Sequence, residues 1–347
     1  MIKAGIMGST GYVGSELTRI LYHHPEVEIK VLTSKSYSNK DFNSIYQNFS
    51  KICELKCEEN NLEKVVNQLD VVFLALPHGM TSRIITDSIL KNVKVIDLSA
   101  DFRLKSKEVY EKWYKVKHNN DILLKKAVYG LPEWKRKQVI TSRLIANPGC
   151  YPTCALLCLL PLIKEGIIEE ENIIIDAKSG VSGAGRTLAL STHFSECNES
   201  IKAYKVLSHR HTPEIEEKLS EIIGNEISVT FTPHLIPMNR GILSTCYGNL
   251  KKGYEYDDIK EIYEKYYHNE FFIRLTSKDI FPETKWVKGS NYCDIGFTID
   301  ENTGKIIIIG VIDNLIKGAA GQAVQNMNLM FNLEEDIGLK SIPMFPI

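Results

Sequence analysis

The chain has 347 residues, enough for two domains that each bury a core. It is 44% hydrophobic and 24% charged with a formal net charge of -1 at pH 7, a balance that speaks against a nucleic-acid surface or a membrane-binding face. No apolar run reaches the roughly 18 to 20 residues of a membrane span. The chain opens at once on a strand-like run rather than a signal pattern, and its eight cysteines without secretory context read as free thiols, so a cytoplasmic protein is expected.

Ile2 to Met7 is a short apolar run, and Gly8-Ser9-Thr10-Gly11-Tyr12-Val13-Gly14 follows directly. Ser15 to His23 carries apolar residues at helical spacing, and Val27 to Leu32 reads as a second strand. Strand, glycine turn, helix and strand form the opening unit of a dinucleotide-binding fold, in which the helix N-terminus meets a pyrophosphate. The glycine pattern is GxxGxxG rather than GxGxxG. The acidic residue expected after the second strand is replaced by Thr33, Ser34, Lys35 and Ser36. Hydroxyls and a cation there suit a ribose 2′-phosphate, hence NADP(H) over NAD; the competing reading is a solvated loop.

Further units repeat the pattern. Asp70 to Pro77 and Val93 to Ser99 read as buried parallel strands flanking a helix from about Thr81 to Leu90. Pro77-His78-Gly79 and Ser99-Ala100-Asp101 fall after strand ends, the edge where open α/β sheets bind ligands. His78 there is read either as a ligand contact or as a capping or exposed side chain. Lys105 to Lys137 shows no clear periodicity and reads as a connection packed on the first domain. Ile173–Lys178, Ile227–Thr232, 241–250, 292–299 and Lys305–Ile312 read as strands of a mostly antiparallel α+β domain, with a helix at Asp257–Tyr267. The last helix, about 318–331, is expected to return to the first domain.

Between the two patterns stands Asn147-Pro148-Gly149-Cys150-Tyr151-Pro152, a strand-to-helix turn leading into an apolar helix over Thr153–Lys164. A thiol at a helix N-terminus feels free N–H groups that favour thiolate, which suits Cys150 as a nucleophile; the bland alternative is a small buried Cys. Cys154 and Cys158, four and eight residues on, read as core packing on the same helix side. The scattered remaining cysteines give no zinc spacing, so no metal is expected.

Two further clusters could do chemistry. In Ser208-His209-Arg210-His211-Thr212-Pro213-Glu214 the capping pattern starts a helix at Pro213, placing two imidazoles and a guanidinium at its N-terminus. Metal ligation, a surface loop, and a general acid/base beside an anion-binding Arg all remain open. Lys178-Ser179-Gly180-Val181-Ser182-Gly183-Ala184-Gly185-Arg186 is a glycine-rich loop suited to phosphate or carboxylate, or a flexible surface turn. A nicotinamide site, an activatable thiol, a His and anion-binding groups together describe thioester chemistry: the thiolate displaces an anionic leaving group from an acyl carbon, and the thioester accepts hydride.

The stretches GSTGYVGSEL (8–17), FLALPHG (73–79), VIDLSADFRL (95–104), YGLPE (129–133), ANPGCYPT (146–153), IDAKSGVSGAGR (175–186), HFSECNE (193–199), HRHTPEIE (209–216), FTPHLIPMNRGIL (231–243), GSNYCDIG (289–296) and DNLIKGAAGQAVQNMNLMF (313–331) cover nearly the whole chain. In them the chain resembles the N-acetyl-gamma-glutamyl-phosphate reductases of arginine biosynthesis, relatives of aspartate-semialdehyde dehydrogenase. The resemblance implies an α/β protein. Its Rossmann-type doubly wound NADP-binding domain would span 1–149, completed by 315–347, and an α+β catalytic and dimerisation domain 150–314. It implies a homodimer or homotetramer acting on a small acyl phosphate and releasing inorganic phosphate, with no nucleic-acid or membrane partner. It makes Cys150 the thioester-forming nucleophile and His211 the acid/base, with His209, Arg210, Arg186 and Ser179 on the substrate side. Its cofactor positions are Gly8, Ser9, Thr10, Gly11, Tyr12, Val13, Gly14, Ser34, Lys35, Ser36, Pro77, Ser182, Gly183, Asn314 and Gly318. The family often carries Arg where Lys35 stands, so a bidentate fork on the 2′-phosphate becomes a point charge.

Rival readings make different predictions. A reductase of a carrier-linked aminoadipyl phosphate in lysine biosynthesis would differ in substrate alone. A cysteine hydrolase would bind no nicotinamide, and a non-catalytic NADP sensor would tolerate Cys150→Ser.

Overall fold

The computed structural model describes residues 1–344 and divides them into two units, Met1–Pro148 with Ala319–Lys340, and Gly149–Gly318 with 341–344. The last three positions of the expected 315–347 return segment lie outside the described residues; within the rest, 319–340 belongs to the first unit and 315–318 to the second.

The first unit is built on seven strands: β1 (Ile2–Met7), β2 (Val27–Thr33), β3 (Cys57–Glu58), β4 (Val71–Leu74), β5 (Lys94–Asp97), β6 (Val128–Tyr129) and β7 (Leu144–Ala146). They pair in the order β3-β2-β1-β4-β5-β7-β6, all parallel. This is the doubly wound, Rossmann-type arrangement, with the chain turning to opposite sides of β1. Every residue of β4 is buried, as a strand covered on both faces requires. The helix Gly321–Met330 belongs to this unit and is buried throughout. Several of its amide groups bond to backbone and to other polar side chains, Asn326 Nδ2 donating to Gly130 O at 2.8 Å and His24 Nε2 meeting Asn328 Oδ1 at 2.9 Å.

Two local readings change. The helix expected over 81–90 is broken into Thr81–Ile84 and Asp87–Asn92, because Thr86 adopts an extended backbone and its hydroxyl accepts from Ile89 N–H, starting a new helix. The 105–137 segment, read as an aperiodic connection, holds helices Lys107–Tyr114, Asp121–Lys126 and most of Pro132–Thr141. Their signals were caps rather than periodicity: Ser106 and Asn120 accept from Val109 and Leu123 N–H, and Pro132 opens the third helix.

The second unit holds β8 (Ile173–Ser179), β9 (Lys202–Ala203), β10 (Val229–Leu235), β11 (Ile242–Asn249), β12 (Ile273–Leu275), β13 (Cys293–Asp300) and β14 (Lys305–Ile312), ordered β12-β13-β14-β11-β8-β10-β9. The sheet is mostly antiparallel as expected, but β8–β10 and β12–β13 pair parallel. The first of these needs a crossover, supplied in part by the helix Thr212–Ile223. One sheet face is covered: the Cys150–Lys164 helix brings its Cys154 and Cys158 sulfurs so close to Gly310 of β14 that a Cβ there would stand 3.1 and 2.4 Å from them. Cys154 and Cys158 are fully buried core residues, as read from the sequence.

Candidate active site

The glycine turn after β1 is shaped by close approach. Gly8 has φ 78°, and a Cβ there would lie 2.3 Å from Ala75 O. A Cβ on Gly14 would lie 2.3 Å from Gly8 O, so the helix Tyr12–Tyr22 packs directly on the turn. That helix has no side-chain cap and no acid in its first turn, so its N-terminus suits the phosphates of a dinucleotide. The neighbouring hydroxyls serve the scaffold. Ser9 is buried and donates to Thr33 O at 3.0 Å, while Thr10 Oγ1 meets Ser34 Oγ at 2.7 Å. Ser34 is therefore tied to the turn, whereas Lys35 and Ser36 are exposed at the end of β2. Pro77 is exposed, but His78 accepts from Ala100 N–H at 3.1 Å and rests edge-on against Tyr114, which favours the scaffold reading of that imidazole.

Beneath Pro77–Gly79 lies an acidic network that the sequence reading did not single out. Asp101 accepts four hydrogen bonds, from Gly79 N–H (2.7 Å), Ser82 N–H (3.0 Å), Thr81 Oγ1 (2.9 Å) and Tyr110 OH (2.6 Å). Burial pushes its carboxyl up, but the bonds from Gly79, Tyr110, Ser82 and Thr81 outweigh burial and hold it below the usual range. Asp97, fully buried alongside, goes the other way: desolvation and then the charge of Asp101 push it up to about 7. Thr81 faces both carboxyls, at 2.9 and 3.2 Å, and its single proton serves one of them. A proton on Asp97 completes the network.

Cys150 opens its helix, with Gly149 as the N-cap in extended backbone. Pro152, third in the helix, lacks an N–H where none is needed. Gly149 N–H donates to the buried Glu214 carboxylate at 2.8 Å, and Thr153 Oγ1 donates back to Gly149 O at 2.9 Å. Gly318 packs on the nucleophile candidate itself: a Cβ there would be 2.8 Å from Cys150 Cβ. Glu214 lies in the first turn of its own helix, where an acid is favourable in any case, and Gly318 is among the expected cofactor positions. Their approach to Gly149 and Cys150 spans long sequence separations that no local pattern reveals.

His211 directly precedes the Thr212–Ile223 helix, and its ring lies 6.0 Å from that of Tyr151, the residue after Cys150. The two helices therefore present Cys150 and the histidine pair at neighbouring N-termini. His209 is enclosed by rings, with Tyr151 at 5.6 Å, Tyr204 at 5.5 Å, Phe231 at 5.4 Å and His211 at 4.8 Å. Burial, then the charges of Lys205 and Arg210, pull its pKa down to about 3, so it is neutral at physiological pH. Its Nδ1 accepts from His211 N–H at 3.2 Å. Tyr204 OH donates to Tyr151 OH at 3.3 Å, closing the aromatic wall. Among the described residues no cluster of three or more His, Cys, Asp or Glu is arranged to hold a metal.

The Lys178–Arg186 loop is a tight structure rather than an open cradle. Gly180, Val181 and Ser182 N–H donate to Gly241 O, Met238 O and Asn239 O, and Ser179 Oγ bonds Gly180 O. Asn314 clamps it, accepting from Gly241 N–H at 2.8 Å and donating to Ser182 Oγ at 3.0 Å. Gly183 and Arg186 are exposed beyond the clamp, and Arg210 is half-buried. Gly183 N–H likewise turns back to Gly180 O at 3.3 Å, so the N–H groups at the start of this loop serve the fold, and Arg186 and Arg210 are guanidinium groups of these two clusters suited to an anion.

Residues 3–142 match the semialdehyde dehydrogenase NAD-binding domain and residues 150–314 the semialdehyde dehydrogenase dimerisation domain. An N-acetyl-gamma-glutamyl-phosphate reductase of Lachnoclostridium phytofermentans is 56% identical over 346 residues, covering 100% of both chains. One of Alkaliphilus metalliredigens is 53% identical, again over 100% of both, and one of Campylobacter jejuni subsp. doylei 52% identical over 98% of both. Among solved structures, aspartate semialdehyde dehydrogenase II of Vibrio cholerae superposes with TM-score 0.72 at 18% identity, covering 96% of this chain and 98% of that one. The Candida albicans enzyme with NADP gives 0.67 at 17% identity, over 97% and 99%. Those likenesses carry the fold, and the full-length sequence relatives carry the family. The chain belongs to the N-acetyl-gamma-glutamyl-phosphate reductases, within the semialdehyde dehydrogenase family.

Proposed function

We propose that the protein reduces N-acetyl-L-glutamyl 5-phosphate to N-acetyl-L-glutamate 5-semialdehyde with NADPH, releasing inorganic phosphate in arginine biosynthesis. The observation that carries the catalytic assignment is Cys150 at an uncapped helix start, fixed by Gly149 to Glu214 and backed by Gly318. The Cys150 thiolate attacks the acyl carbon, the acyl–oxygen bond breaks, and phosphate leaves with the electron pair. When bound, NADPH supplies the hydride that turns the resulting thioester into aldehyde. The Gly8–Gly14 turn and the Tyr12–Tyr22 helix would hold its pyrophosphate, with Lys35 and Ser36 on the 2′-phosphate. His211 takes the thiol proton and returns a proton to the oxygen that becomes the aldehyde's, then recovers it as the thiolate is expelled. Arg210 and Arg186 receive the phosphate.

The first unit is the cofactor unit and the second the catalytic and oligomerising one in this reading, and the assembly is a homodimer or a homotetramer. The second-unit sheet supports this: its other face is only partly covered, with Ile174, Tyr247 and Ile307 side by side across β8, β11 and β14. No helix among the described residues is long and apolar enough to cross a membrane. The eight cysteines, none in a disulfide, support placement in the cytoplasm.

The test is phosphate-dependent reduction of NADP by purified protein with N-acetylglutamate 5-semialdehyde, wild type against Cys150→Ser. Turnover that needs phosphate and vanishes in the variant is the expected result. A folded but silent wild type, with NADP and with NAD, overturns the substrate assignment and makes the carrier-linked acyl phosphate the next substrate to try.

A further inference from the structure

The end of β5 buries a carboxyl, Asp97, that the proposed reaction does not use. Its Oδ1 accepts Ser99 N–H at 2.9 Å, and its Oδ2 stands 2.9 Å from Ser99 Oγ and 3.2 Å from Thr81 Oγ1. Those two hydroxyls are 2.8 Å from each other, and Thr81 Oγ1 is 2.9 Å from Asp101 Oδ2. With both acids ionised, two hydroxyl protons must fill three contacts of 2.9 Å or less, so one contact is left lone pair against lone pair. A proton on Asp97 removes the conflict. Asp97 then donates to Ser99, Ser99 to Thr81 and Thr81 to Asp101, one proton in each contact of the row.

The other groups around Asp97 leave that proton in place. Arg103 gives its Nε to Asn147 O at 2.8 Å and an Nη to Leu98 O at 2.9 Å, and its charge is the weakest of the effects on Asp97. Tyr110 donates to Asp101 and is pushed up by burial; His118, with Nε2 2.7 Å from Asp101 O, is pulled down by burial, so both are neutral at physiological pH. His78 accepts from Ala100 N–H. Burial and then the charge of Asp101 push the Asp97 carboxyl up to about 7, in line with the proton that the contacts require.

We propose that Asp97 is a positioning residue whose bound proton, passed along Ser99 and Thr81 to Asp101, holds the Pro77–Gly79 turn in its NADPH-binding form. The inference deepens the function proposed above and rests on its assignment of that turn to the cofactor. Asp101 is the link. One of its oxygens takes Gly79 N–H, and the other takes Ser82 N–H and the Thr81 hydroxyl, so the turn and the helix Thr81–Ile84 hang on one carboxylate. Gly79, at φ 82°, is set on its other side by Val116, whose Cγ1 would stand 2.4 Å from a Cβ there. When Asp97 ionises, Ser99 turns its proton back, the row breaks at Thr81, and a second buried negative charge faces Asp101. Cofactor and proton therefore favour each other: NADPH holds the protonated arrangement, and loss of the proton weakens NADPH.

The experiment is fluorescence titration of the full chain with NADPH from pH 6 to pH 9, wild type against Asp97→Asn and Thr81→Val. The wild-type Kd is expected to rise about tenfold as pH passes through 7 to 8, the change that a one-unit rise of the carboxyl's value on binding produces. An Asn at position 97 offers an oxygen to Ser99 N–H and an NH2 to the two hydroxyls, as the protonated acid does and the carboxylate cannot, so its Kd is expected to show no rise. Thr81→Val cuts the row in the middle; it is expected to bind more weakly at pH 6 and to show no rise either. In turnover, KM for NADPH is expected to follow the wild-type step while kcat does not share it. NADPH binding with a flat wild-type profile overturns the inference, and so does a rise that persists in Asp97→Asn. If Asp97→Asn does not fold, a rise that persists in Thr81→Val overturns it. A folded wild type that binds no NADPH at any pH overturns the cofactor assignment of the turn itself, a different result from binding that ignores pH.

Discussion

Asp101→Asn tests whether the acidic network sets the cofactor-side turn. The carboxylate takes Gly79 N–H and Tyr110 OH on one oxygen and Thr81 OH and Ser82 N–H on the other. Whichever way an amide is turned, its NH2 opposes one backbone N–H and one hydroxyl. The hydroxyl can rotate and accept; the N–H cannot. One buried donor without an acceptor costs about 1–3 kcal/mol. The bonds that survive lose their charge assistance, which roughly halves each. The sum is about 3–4 kcal/mol of stability in chemical denaturation, on a domain scale of about 5–15 kcal/mol. Because the folded-state carboxyl is held below its ordinary value, the contribution of Asp101 is full above that value and is lost as pH falls through it, so the gap between variant and wild type narrows under acid. Loosening Gly79 frees Pro77 beside it, and a share of about 1.4 kcal/mol reaching the turn raises KM for NADPH about tenfold with kcat little changed. A variant within about 0.5 kcal/mol of wild type, with KM unmoved, refutes both the bond accounting and the positioning role.

Three shorter tests bear on the second unit. Gly318→Ala puts a methyl carbon 2.8 Å from Cys150 Cβ and 3.2 Å from its Cα. Overpacking of this kind costs about 1–3 kcal/mol, and phosphate release in the first turnover should slow far more than NADPH binding weakens, as stopped-flow would show. Glu214→Ala leaves Gly149 N–H without its acceptor and is expected to lose about 2 kcal/mol and slow alkylation of Cys150 by iodoacetamide, whereas Glu214→Gln keeps an acceptor and most of the stability. His209, neutral when folded down to about pH 3 but protonated below 6.5 when unfolded, makes stability fall as pH drops from 6.5 at up to about 1.4 kcal/mol per unit. His209→Phe removes that slope. Asp97 contributes with the opposite sign in both proteins and cancels from the difference between their urea titrations.

Local patterns were legible where the chemistry is local. The strand–glycine turn–helix opening, the helix start beside Pro213 and the strand-to-helix turn at Cys150 each lie within one stretch of chain and are present in the structure, although the second helix begins at Thr212 and has no side-chain cap. Segment 105–137 was missed because its short helices are announced by single capping residues, Ser106 and Asn120, and carry too few turns to show a period. Hydroxyls carry a role that sequence does not show: Ser9, Ser34, Ser179 and Ser182 look like ligand contacts in sequence, and each Oγ also makes a bond within the fold. A sequence shows that a hydroxyl exists, and only packing shows where its proton points. The contacts of Glu214 with Gly149 and of Gly318 with Cys150 join distant segments, which no single-chain pattern encodes.

The structure also puts the two histidines, which the residue pattern left open and the resemblance assigned to different roles, in different surroundings. His209 lies inside the aromatic wall of Tyr151, Tyr204 and Phe231, where burial and the two cations beside it strip it of its proton. A group whose pKa is near 3 cannot deliver a proton at neutral pH, which supports giving the acid/base step of the proposed reaction to His211, half-buried at the helix start. One of those cations, Arg210, is the group the proposed reaction assigns to the phosphate, so its cost to His209 is the counterpart of that proposed use. A cationic imidazole at that position would add a third positive charge in an apolar wall, whereas a neutral ring fills the wall and orients His211 by accepting its backbone N–H.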